Sequence, residues 1–508
     1  MPRYKHQERH GLLLPVVLSE QIVPGSFEFA LDYLVDHELD LSPLDARFHN
    51  DEVGASAYDP RVMLKIVLLA YSHGLTTSRA IEGACERNVQ FIAISGDSRP
   101  SHSHIAKFVS SLGEQIKPLF AQVLMTCDAQ GLIGREMFAI DGVKLPSNAS
   151  KERSGTHEEL RHRARRLDKA ADKIVRLHQS RDTATQEEAP DAKRQARVQA
   201  LRKEAARTRE FVAATAPRLN RKGQELKTNV TDPDSAKIAT GKGVIQGYAA
   251  QAAVDSAHQV IVAADVSNSG SEQAMLLPMI EQTQAYRQEH TLITADAGYH
   301  SQANLHQLMD QGIPALVADN QMRQRDERFS ERDRHKSNPD PLADKPPTGQ
   351  AKPIKRFGPK DFDFHDDNTC TCPAGQTLTS FGTLYTTASG LRYQLFEARD
   401  TDCQSCKLRD QCLKSPHKER GRQVTRFEPK RYSRHDPIEC MKRAIDSARG
   451  RGLYSQRLGT VEPVFANLRY NKGLGRLNLR GREKVSTQWQ LYCMVHNIEK
   501  LANSGWRR

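Results

Sequence analysis

Two short apolar runs in this chain end in the same way. The run MFAI is followed by Asp141 and the run LITA by Asp296, and a glycine stands within two positions of each aspartate. Short apolar runs bounded by turn residues are typical of buried strands, and ligand-handling residues of open α/β sheets lie beyond the carboxyl ends of such strands. If the two strands are neighbours, their carboxylates converge and repel each other unless a cation lies between them.

The periodicity around these runs predicts a mixed α/β sheet. GVIQGYAAQAAVD (243–255) and QVIVAADVS (259–267) are apolar, β-branched runs joined by a short turn, which predicts a hairpin. Helical patterns at 271–287 and 302–312 then alternate with the LITA run and with IPALVAD. Strands that alternate with helices in this way predict a sheet with helices laid against it.

The chain is predicted to have a helical region, a core and two inserts. Residues 1–130 carry helical patterns and are expected to form an all-α N-terminal domain for DNA binding or dimerisation. One connection, HGLTTS, fits a helix-turn-helix, although any two packed helices joined by a glycine turn look the same. Residues 131–508 are expected to form the α/β core, interrupted by a basic helical hairpin at 151–228 and by a solvated linker plus Cys-rich β insert at 320–430.

Charge and hydropathy bound the class of protein. The chain carries 74 basic and 62 acidic side chains, which gives a formal charge of +12. Such an excess suits a polyanionic partner, because neutralised phosphates release counterions; a soluble basic protein without such a partner is the alternative. No apolar run is long enough to span a bilayer and no secretory signal is recognisable, so we expect a cytoplasmic protein.

The paired aspartates predict a site for a divalent cation. Oxygen ligands suit Mg²⁺ or Mn²⁺, which also take phosphate oxygens as ligands. Such ions can activate a nucleophile and stabilise the leaving oxygen of a phosphodiester, usually with a third carboxylate. Glu462 is the candidate, since it lies beside the apolar face that Val461, Val464 and Phe465 form on a late helix. For any one of these acids, a helix cap, a turn or an ion pair is the ordinary alternative.

Five of the nine cysteines lie close together between positions 370 and 412. Two groups, CTCPAGQ and CQSCKLRDQC, flank a segment with the pattern of a hairpin, which would bring the groups together. Four thiolates complete a tetrahedral structural Zn²⁺ site, and the predicted ligands are Cys372, Cys403, Cys406 and Cys412. Cys370 would then be spare or would replace Cys372, and a group of reduced thiols without metal is the alternative.

Taken together, these motifs resemble the DDE transposases of bacterial insertion sequences, in the branch with a helical N-terminus and a Cys cluster before the last acid. The similarity is carried by AIDGVKLPSNAS, by the stretch from TDPDSAK to VAADVSN, by ADAGYHS, by YSQRLGTVEPVFANLRYNKG with its tail, and by YDPRVMLKIVLLAYSHG near the N-terminus. It implies a ribonuclease H-like core in which Asp141, Asp296 and Glu462 bind divalent metal. The implied activity is cleavage at terminal inverted repeats and joining of the 3′-hydroxyl to target DNA.

The resemblance also bears on residues that would contact DNA. In the family signature, Tyr454 and Arg457 fit, but four residues rather than three separate Arg457 from Glu462, and Arg469 stands where the family has lysine. Arginine keeps the charge and can clamp phosphate. The other candidates for DNA contact are Lys144, Tyr299, His300 and Lys472, with packing in the core an equal alternative for Tyr299.

The leading hypothesis is therefore a transposase that acts on double-stranded DNA, as a homodimer or higher oligomer, in the bacterial cytoplasm with the nucleoid. An inactive DNA-binding protein derived from such an enzyme is one alternative, and a metal-dependent nuclease or resolvase is another. In TDPDSAK, Asp232 and Asp234 are interpreted as turn formers, although a position near the metal site would allow a DNA contact.

Overall fold

The computed structural model describes residues 16–47, 56–179, 188–220, 223–241, 243–329, 356–387, 392–427 and 436–507. Much of the linker predicted at the start of the 320–430 insert lies outside these ranges. The chain divides into two compact units, one formed by Met1–Leu342 with Cys440–Arg508 and the other by Ala343–Glu439. None of the helices in the described part of the chain combines the length and the apolar character needed to cross a lipid bilayer.

The first unit begins with helices, as predicted. The early helix Pro60–Ser72 starts with a proline whose missing N–H costs nothing there, and the Asp59 side chain caps the helix by accepting from the Arg61 N–H. Most of this helix is buried. The helices are α1 (Phe27–Tyr33), α2 (Ser42–Asp45), α3 (Pro60–Ser72), α4 (Ser78–Arg87), α5 (Val89–Ser95), α6 (His102–Ser111) and α7 (Ile116–Ala129).

A mixed six-stranded sheet follows, and it confirms the α/β prediction. The predicted hairpin is present, because the strands Gly243–Asp255 and Ile261–Ser267 pair antiparallel. The strands are β1 (Met137–Pro146), β4 (Ala236–Thr240), β5 (Gly243–Asp255), β6 (Ile261–Ser267), β7 (Leu292–Ala295) and β8 (Ala315–Val317), while β2 (Ser154–Gly155) and β3 (Thr228–Asn229) form a separate pair. Helices α10 (Leu276–Gln282) and α11 (Gln302–Asp310) connect β6 to β7 and β7 to β8.

Strand directions decide which loops share an edge of the sheet. The long strand β5 pairs with β4 and β6 along one side and with β1 along the other, in each case antiparallel. Strand β1 pairs parallel with β7, and β7 pairs parallel with β8. Five strands, β4, β6, β1, β7 and β8, therefore run in the same direction, opposite to β5, and their carboxyl ends face the same edge.

The basic insert forms the predicted antiparallel helical hairpin. Helix α8 spans His157–Gln179 and α9 spans Glu188–Ala214. Ion pairs cross between the helices, with Arg202 3.4 Å from Asp172 and Arg163 2.7 Å from Glu204. Outward-facing arginines, including Arg161, Arg165 and Arg207, leave the hairpin with a positively charged surface.

The second unit is a small sheet with its own core. Its strands are β9 (Asp363–Phe364), β10 (Thr369–Thr371), β11 (Thr377–Thr379), β12 (Leu384–Thr386), β13 (Arg392–Glu397) and β14 (Gln423–Phe427), and its helices are α12 (Asp400–Gln404) and α13 (Arg409–Cys412). Strands β12 and β13 form the predicted hairpin. Phe362, Cys370, Leu378, Phe396 and Val424 make up the buried core.

The late helices complete the first unit. They are α14 (Pro437–Asp446), α15 (Ala448–Ala466) and α16 (Arg482–Asn503), with a π-helical turn at Asn467–Asn471. Helix α15 packs on β1, whereas α16 lies between the N-terminal helices α1, α3 and α7 on one side and strand β6 on the other. The core of the N-terminal helices is therefore continuous with that of the sheet.

Helix α16 also covers the free edge of β6. The Arg482 Nε–H donates to the Val266 carbonyl at 3.0 Å, and the Gln490 amide donates to the Ala264 carbonyl at 3.3 Å. Further along, the Asn497 side chain accepts from the Ile261 N–H and donates to the Ile261 carbonyl, each at 2.9 Å. Side chains spaced about two helical turns apart thus take the place of a further strand and protect the edge.

Candidate active site

The ends of β1 and β7 place two carboxylates side by side. The strands are parallel, and their register pairs Ile140 with Ala295. The next residues along the two strands are Asp141 and Asp296, so the expectation that the two strands are neighbours is confirmed. Strand β7 ends at this level while β1 continues, so on this side β1 pairs with no described strand beyond the two aspartates.

Backbone N–H groups orient both aspartates. Asp141 Oδ1 accepts from the Gly142 N–H, and Asp296 Oδ1 accepts from the Gly298 N–H, each at 2.8 Å. Gly142 has to lack a side chain, because a Cβ there would lie 2.6 Å from the amide of Gln251. The glycines that follow the aspartates therefore serve both to orient the carboxylates and to let neighbouring side chains approach.

Arg457 of helix α15 faces the first aspartate. Its side chain is only 6% exposed, and its Nη1 lies 2.9 Å from Asp141 Oδ2. Burial raises the pKa of Asp141, and the positive charge of Arg457 opposes that rise. Despite this ion pair, neither Nε nor Nη1 of Arg457 donates a well-directed hydrogen bond. The guanidinium lies 5.8 Å from the ring centre of Tyr454, so both residues of the predicted signature are at the site.

A third acid, Glu272, lies at this edge and was not identified from the sequence. It precedes α10 in the loop after β6, and its Oε2 lies 2.3 Å from the point that a Cβ would occupy at Gly298, where Asp296 Oδ1 is 3.0 Å away. Burial raises the pKa of Glu272 to about 7; Lys144 opposes this rise, while the charges of Asp296 and Asp141 add to it. Glu272 therefore interacts with both aspartates.

The position of Glu272 follows from strand direction. Ala249 of β5 pairs with Lys144 on one side and with Ser267, the last residue of β6, on the other. Strand β6 therefore ends at the level of Lys144, and the loop that follows it lies at the same edge as the aspartates. The sequence does show an acid a few residues after β6, but a polar loop separates this acid from the apolar run of the strand.

Tyr299 and His300 follow Asp296 closely in the chain. Tyr299 is fully buried, and its hydroxyl donates to Gln251 Oε1. This places it in the core, which was one of the two interpretations of this residue. His300 is half-buried, its Nε2 has no hydrogen-bond partner among the described residues, and burial lowers its pKa.

Glu462 lies on the same helix as Arg457, and its role at the metal site stays a prediction. It lies five residues after Arg457 on α15, and five residues turn a helix by about 140° from its starting face. Arg457, Val461 and Val464 are buried, whereas Glu462 is exposed. The sequence correctly indicated an acid next to the apolar face, but the side chain lies on the solvent side of that face.

The remaining predicted DNA contacts differ in accessibility. Arg469 is exposed and lies 5.7 Å from the ring centre of Tyr470, whose side chain is 75% exposed. Lys144 is half-buried on β1. Lys472, in contrast, is buried, and its Nζ lies 3.0 Å from Glu499 of α16. The structure thus gives Lys472 an intramolecular partner that anchors the end of the π-helical turn.

The TDPDSAK segment binds to the start of α16. Asp232 Oδ1 accepts from the Gly481 N–H at 3.0 Å and from the Tyr248 hydroxyl at 2.8 Å, and it is buried. Asp234 Oδ2 accepts from the Arg482 N–H at 2.9 Å. Acidic side chains at a helix N-terminus offset its unpaired N–H groups and positive dipole end. Both aspartates therefore have a structural role here.

The cysteine cluster lies in the second unit. Cys372, Cys403, Cys406 and Cys412 line one cavity, and Cys403, Cys372 and Cys406 all lie close enough to Cys412 to act on its charge. Cys370 belongs to the buried core instead, because alternation along β10 turns it to the opposite face from Thr371. Of the two alternatives for Cys370, the structure supports the one in which it is spare.

The donor chemistry of both clusters suits a metal, although in the described ranges no three His, Cys, Asp or Glu side chains are already spaced to hold an ion. At the sheet edge the donors are carboxylate oxygens that repel one another, which is the donor set that Mg²⁺ and Mn²⁺ take. In the second unit the donors are thiols, the set that Zn²⁺ takes.

Two segments of the chain match family models of DNA-transposing proteins. Residues 371–502 match the family described as "Transposase DDE domain", and residues 16–111 match "Transposase domain (DUF772)". A comparison with curated proteins found no significant match. The two matches support a DDE transposase of an insertion sequence, a class of enzyme that cleaves DNA and transfers its strands.

The matched segments do not reach the two aspartates. Residues 112–370, which carry β1 to β8 and with them Asp141, Glu272 and Asp296, lie outside both matches. The matches therefore support the class of enzyme and imply its use of DNA and divalent metal, while the identity of the site residues stays a prediction that rests on the geometry of the sheet edge.

Proposed function

We propose that this transposase cleaves DNA at the terminal inverted repeats of its element, at a divalent metal site held by Asp141 and Asp296. The observation that carries the proposal is the parallel register of β1 and β7, which sets the two carboxylates next to each other with Arg457 against the first. Opposed carboxylates at the carboxyl edge of a sheet are costly without a cation. A cation-dependent reaction on a phosphodiester makes use of that arrangement.

We further infer a ribonuclease H-like core. Three antiparallel strands, β1, β5 and β6, are followed by the parallel strands β7 and β8, which are reached through helices. The resulting strand order, β6-β5-β1-β7-β8, supports this fold. In this order β1 lies next to β7. The predicted division into a domain of 1–130 and a core of 131–508 remains a proposal, with α16 shared between them.

The side chains at the edge suggest how the substrate is held. Bound Mg²⁺ or Mn²⁺ would supply activation of the attacking oxygen and charge compensation at the leaving oxygen. Asp141 and Asp296 would hold the ion through their carboxylate oxygens. Arg457, whose N–H groups are incompletely used within the protein, can donate to phosphate oxygens in the bidentate manner of arginine. Lys144 adds a positive charge along the open part of β1.

The substrate path is proposed to follow the positive surface of the chain. The exposed arginines of the α8–α9 hairpin and Arg469 next to Tyr470 are placed to bind the phosphate backbone, in keeping with the net charge of +12. Two element ends have to be held together for transposition, so we propose a homodimer or higher oligomer on DNA. A protein with this substrate would be associated with the bacterial nucleoid. Glu462 remains an acid that only the resemblance assigns to the site.

The function is tested by incubating the purified protein with Mg²⁺ and linear DNA that carries the element's ends. We expect cleavage at the terminal inverted repeats and joining of the cut strand to a second duplex, with no reaction on DNA whose repeats are scrambled. Cleavage without joining would favour the nuclease or resolvase. Binding without cleavage, in Mn²⁺ as well as Mg²⁺, would favour an inactive DNA-binding descendant.

We also propose that Cys372, Cys403, Cys406 and Cys412 bind a structural Zn²⁺. Backbone N–H groups already point at two of the sulfurs, from Gln376 to Cys372 at 3.3 Å and from Arg422 to Cys403 at 3.4 Å. Such second-sphere donors orient and stabilise metal-bound thiolates. Four thiolates would fill all positions of a tetrahedral ion, and the site would therefore stabilise the small second unit rather than take part in catalysis.

The zinc proposal predicts the metal content of freshly purified protein. We expect about one zinc ion per chain by mass spectrometry, as a closed site of four thiolates requires. Cys406→Ser should lose most of this zinc, whereas Cys440→Ser, a substitution outside the four, should retain it. Zinc content unchanged in Cys406→Ser, or absent from the unmodified protein, would contradict the proposal.

A further inference from the structure

Three aromatic rings form a row across the sheet of the second unit. Tyr393 of β13 pairs in register with Tyr385 of β12 and with Phe427 of β14. The ring centre of Tyr393 lies 5.5 Å from that of Tyr385 and 5.6 Å from that of Phe427. Aromatic rings at such separations contact each other. The aromatic surface is therefore continuous over three strands.

The aromatic row lies on the face of the sheet that is turned away from the core of this unit. Side chains alternate between the two faces along a strand. Phe396 and Val424 pair with each other and are buried in the core. Tyr393 and Phe427 each lie an odd number of positions from these core residues on their strands, so both rings face the other way. Tyr385 and Phe427 are 44% and 49% exposed, and Tyr393 between them is half-buried.

The segment that carries the aromatic row is basic. Between residues 384 and 435 the sequence has 12 basic and 6 acidic side chains. Exposed arginines flank the row in the sequence, because Arg392 directly precedes the ring of β13 and Arg426 directly precedes that of β14. The acid on β13, Glu397, lies at the opposite end of the strand from the row, and its carboxylate accepts from the Gln423 amide. A negatively charged ligand is therefore favoured next to the rings.

Exposed aromatic rings beside cationic side chains are the two features with which proteins bind single-stranded nucleic acid. Unpaired bases offer π faces that stack on aromatic side chains, and their phosphates attract the surrounding cations. A sheet face with such rings accommodates about two or three bases. In a duplex, by contrast, the faces of the bases are already stacked on neighbouring base pairs, so the row favours single strands.

We propose that Tyr385, Tyr393 and Phe427 bind single-stranded DNA by stacking on about two or three unpaired bases. The proposal goes beyond the cleavage of double-stranded element ends and does not depend on the metal site at Asp141 and Asp296. An enzyme that cuts and joins DNA strands releases strand ends during its reaction, and unpaired DNA of this kind is the ligand expected for the row. Basic side chains around the sheet would bind its phosphates.

The direct test places a fluorophore in the row. Phe427→Trp keeps an aromatic ring there, and the two native tryptophans, Trp489 and Trp506, are buried. Titration of this full-length variant with an oligodeoxythymidine of about 10 nucleotides should quench its tryptophan fluorescence, because a base stacks on the new indole. The unmodified protein should show little quenching. Anisotropy of a labelled copy of the oligonucleotide measures binding in parallel, and either no binding or binding without quenching would overturn the proposal.

Substitutions in the row test the same contact by affinity. Tyr393→Ala is expected to weaken binding of the oligodeoxythymidine by at least about 5-fold, because a stacked base contributes at least that factor. Tyr393→Phe keeps the ring and should bind nearly as well as the unmodified protein. The matched control is Leu384→Ala, since Leu384 is 40% exposed on β12 but lies on the other face from Tyr385. Affinity should not change in this control, and an equal loss in Leu384→Ala and Tyr393→Ala would contradict stacking on the aromatic row.

Two further ligands define the specificity of the row. A DNA duplex of the same length should bind equally well to Tyr393→Ala and to the unmodified protein, because charge rather than stacking holds it; a matching loss of duplex affinity would overturn the proposal. An oligouridine that quenches Phe427→Trp at lower concentration than the DNA would assign the row to RNA instead. Asp296→Asn should lose cleavage but retain single-strand binding, so a failure of the proposed cleavage site and a failure of the aromatic row are distinguishable.

Discussion

Replacement of Asp296 by asparagine is expected to reduce Mg²⁺-dependent DNA cleavage by more than about 100-fold, because partners that merely orient metal ligands already contribute up to that factor. Asp141→Asn should cause a loss of the same order. Asparagine keeps the size of the side chain and can still accept from the Gly142 or Gly298 N–H, but it removes the negative charge that holds the cation. The measurement is the rate of strand cleavage on DNA that carries the element's ends, at saturating protein.

A matched substitution separates charge from position. Asp310→Asn changes an exposed aspartate at the end of α11, away from the sheet edge, and should leave the cleavage rate unchanged. DNA binding by the Asp296 and Asp141 variants should persist, since positive surface charge supplies it. Cleavage at the unmodified rate by either variant, with its circular dichroism spectrum intact, would remove that aspartate from the site.

Replacement of Trp489 by alanine is expected to lower the free energy of unfolding of the first unit by about 3–5 kcal/mol. Trp489 lies on α16, is fully buried and stacks near Phe465 of α15 with ring centres 6.3 Å apart. Its indole N–H donates to the Gln251 carbonyl at 2.9 Å. The alanine variant loses this contact with the site strand and leaves a cavity. The measurement is urea unfolding followed by circular dichroism.

Trp489→Phe separates the contribution of the buried ring to stability from that of the hydrogen bond. Phenylalanine retains most of the buried ring and loses the hydrogen bond to Gln251, so the destabilisation should fall to about 1 kcal/mol. Because Gln251 also supports Tyr299, we expect the alanine variant to lower cleavage further than its lost stability explains. An alanine variant as stable as the unmodified protein would show that α16 does not hold the sheet as described.

The paired aspartates could be predicted because strand geometry is regular. An apolar run that ends in an acid fixes the place of that acid at the edge of a sheet, and the parallel register of β1 and β7 then puts Asp141 beside Asp296. The same regularity made the β5–β6 hairpin and the α8–α9 hairpin recognisable. In the second unit, two groups of cysteines flanking a hairpin predicted that the groups would come together, and cysteines from both groups line one cavity.

The third acid could not be predicted in the same way. Glu272 follows a polar loop rather than an apolar run. Its position in space depends on where β6 ends along the sheet, and that is set by the pairing of β6 with β5 rather than by the residues near Glu272. The apolar residues next to Glu462 predicted that its side chain would be partly buried. Consecutive residues of a helix point in different directions, so a buried residue can be followed directly by an exposed one. The role of α16 was also hidden, since helical periodicity does not reveal which elements a helix contacts.

Helix α16 is synthesised after every other described element, yet it contacts α1, α3 and α7 and the free edge of β6. A ribosome therefore produces Asp141 and Asp296 long before it produces the helix that closes the sheet carrying them. During that interval the faces of α1, α3 and α7 that contact α16 lack that cover. The sheet that carries the aspartates is therefore covered along the edge of β6 only once the last described helix has been made.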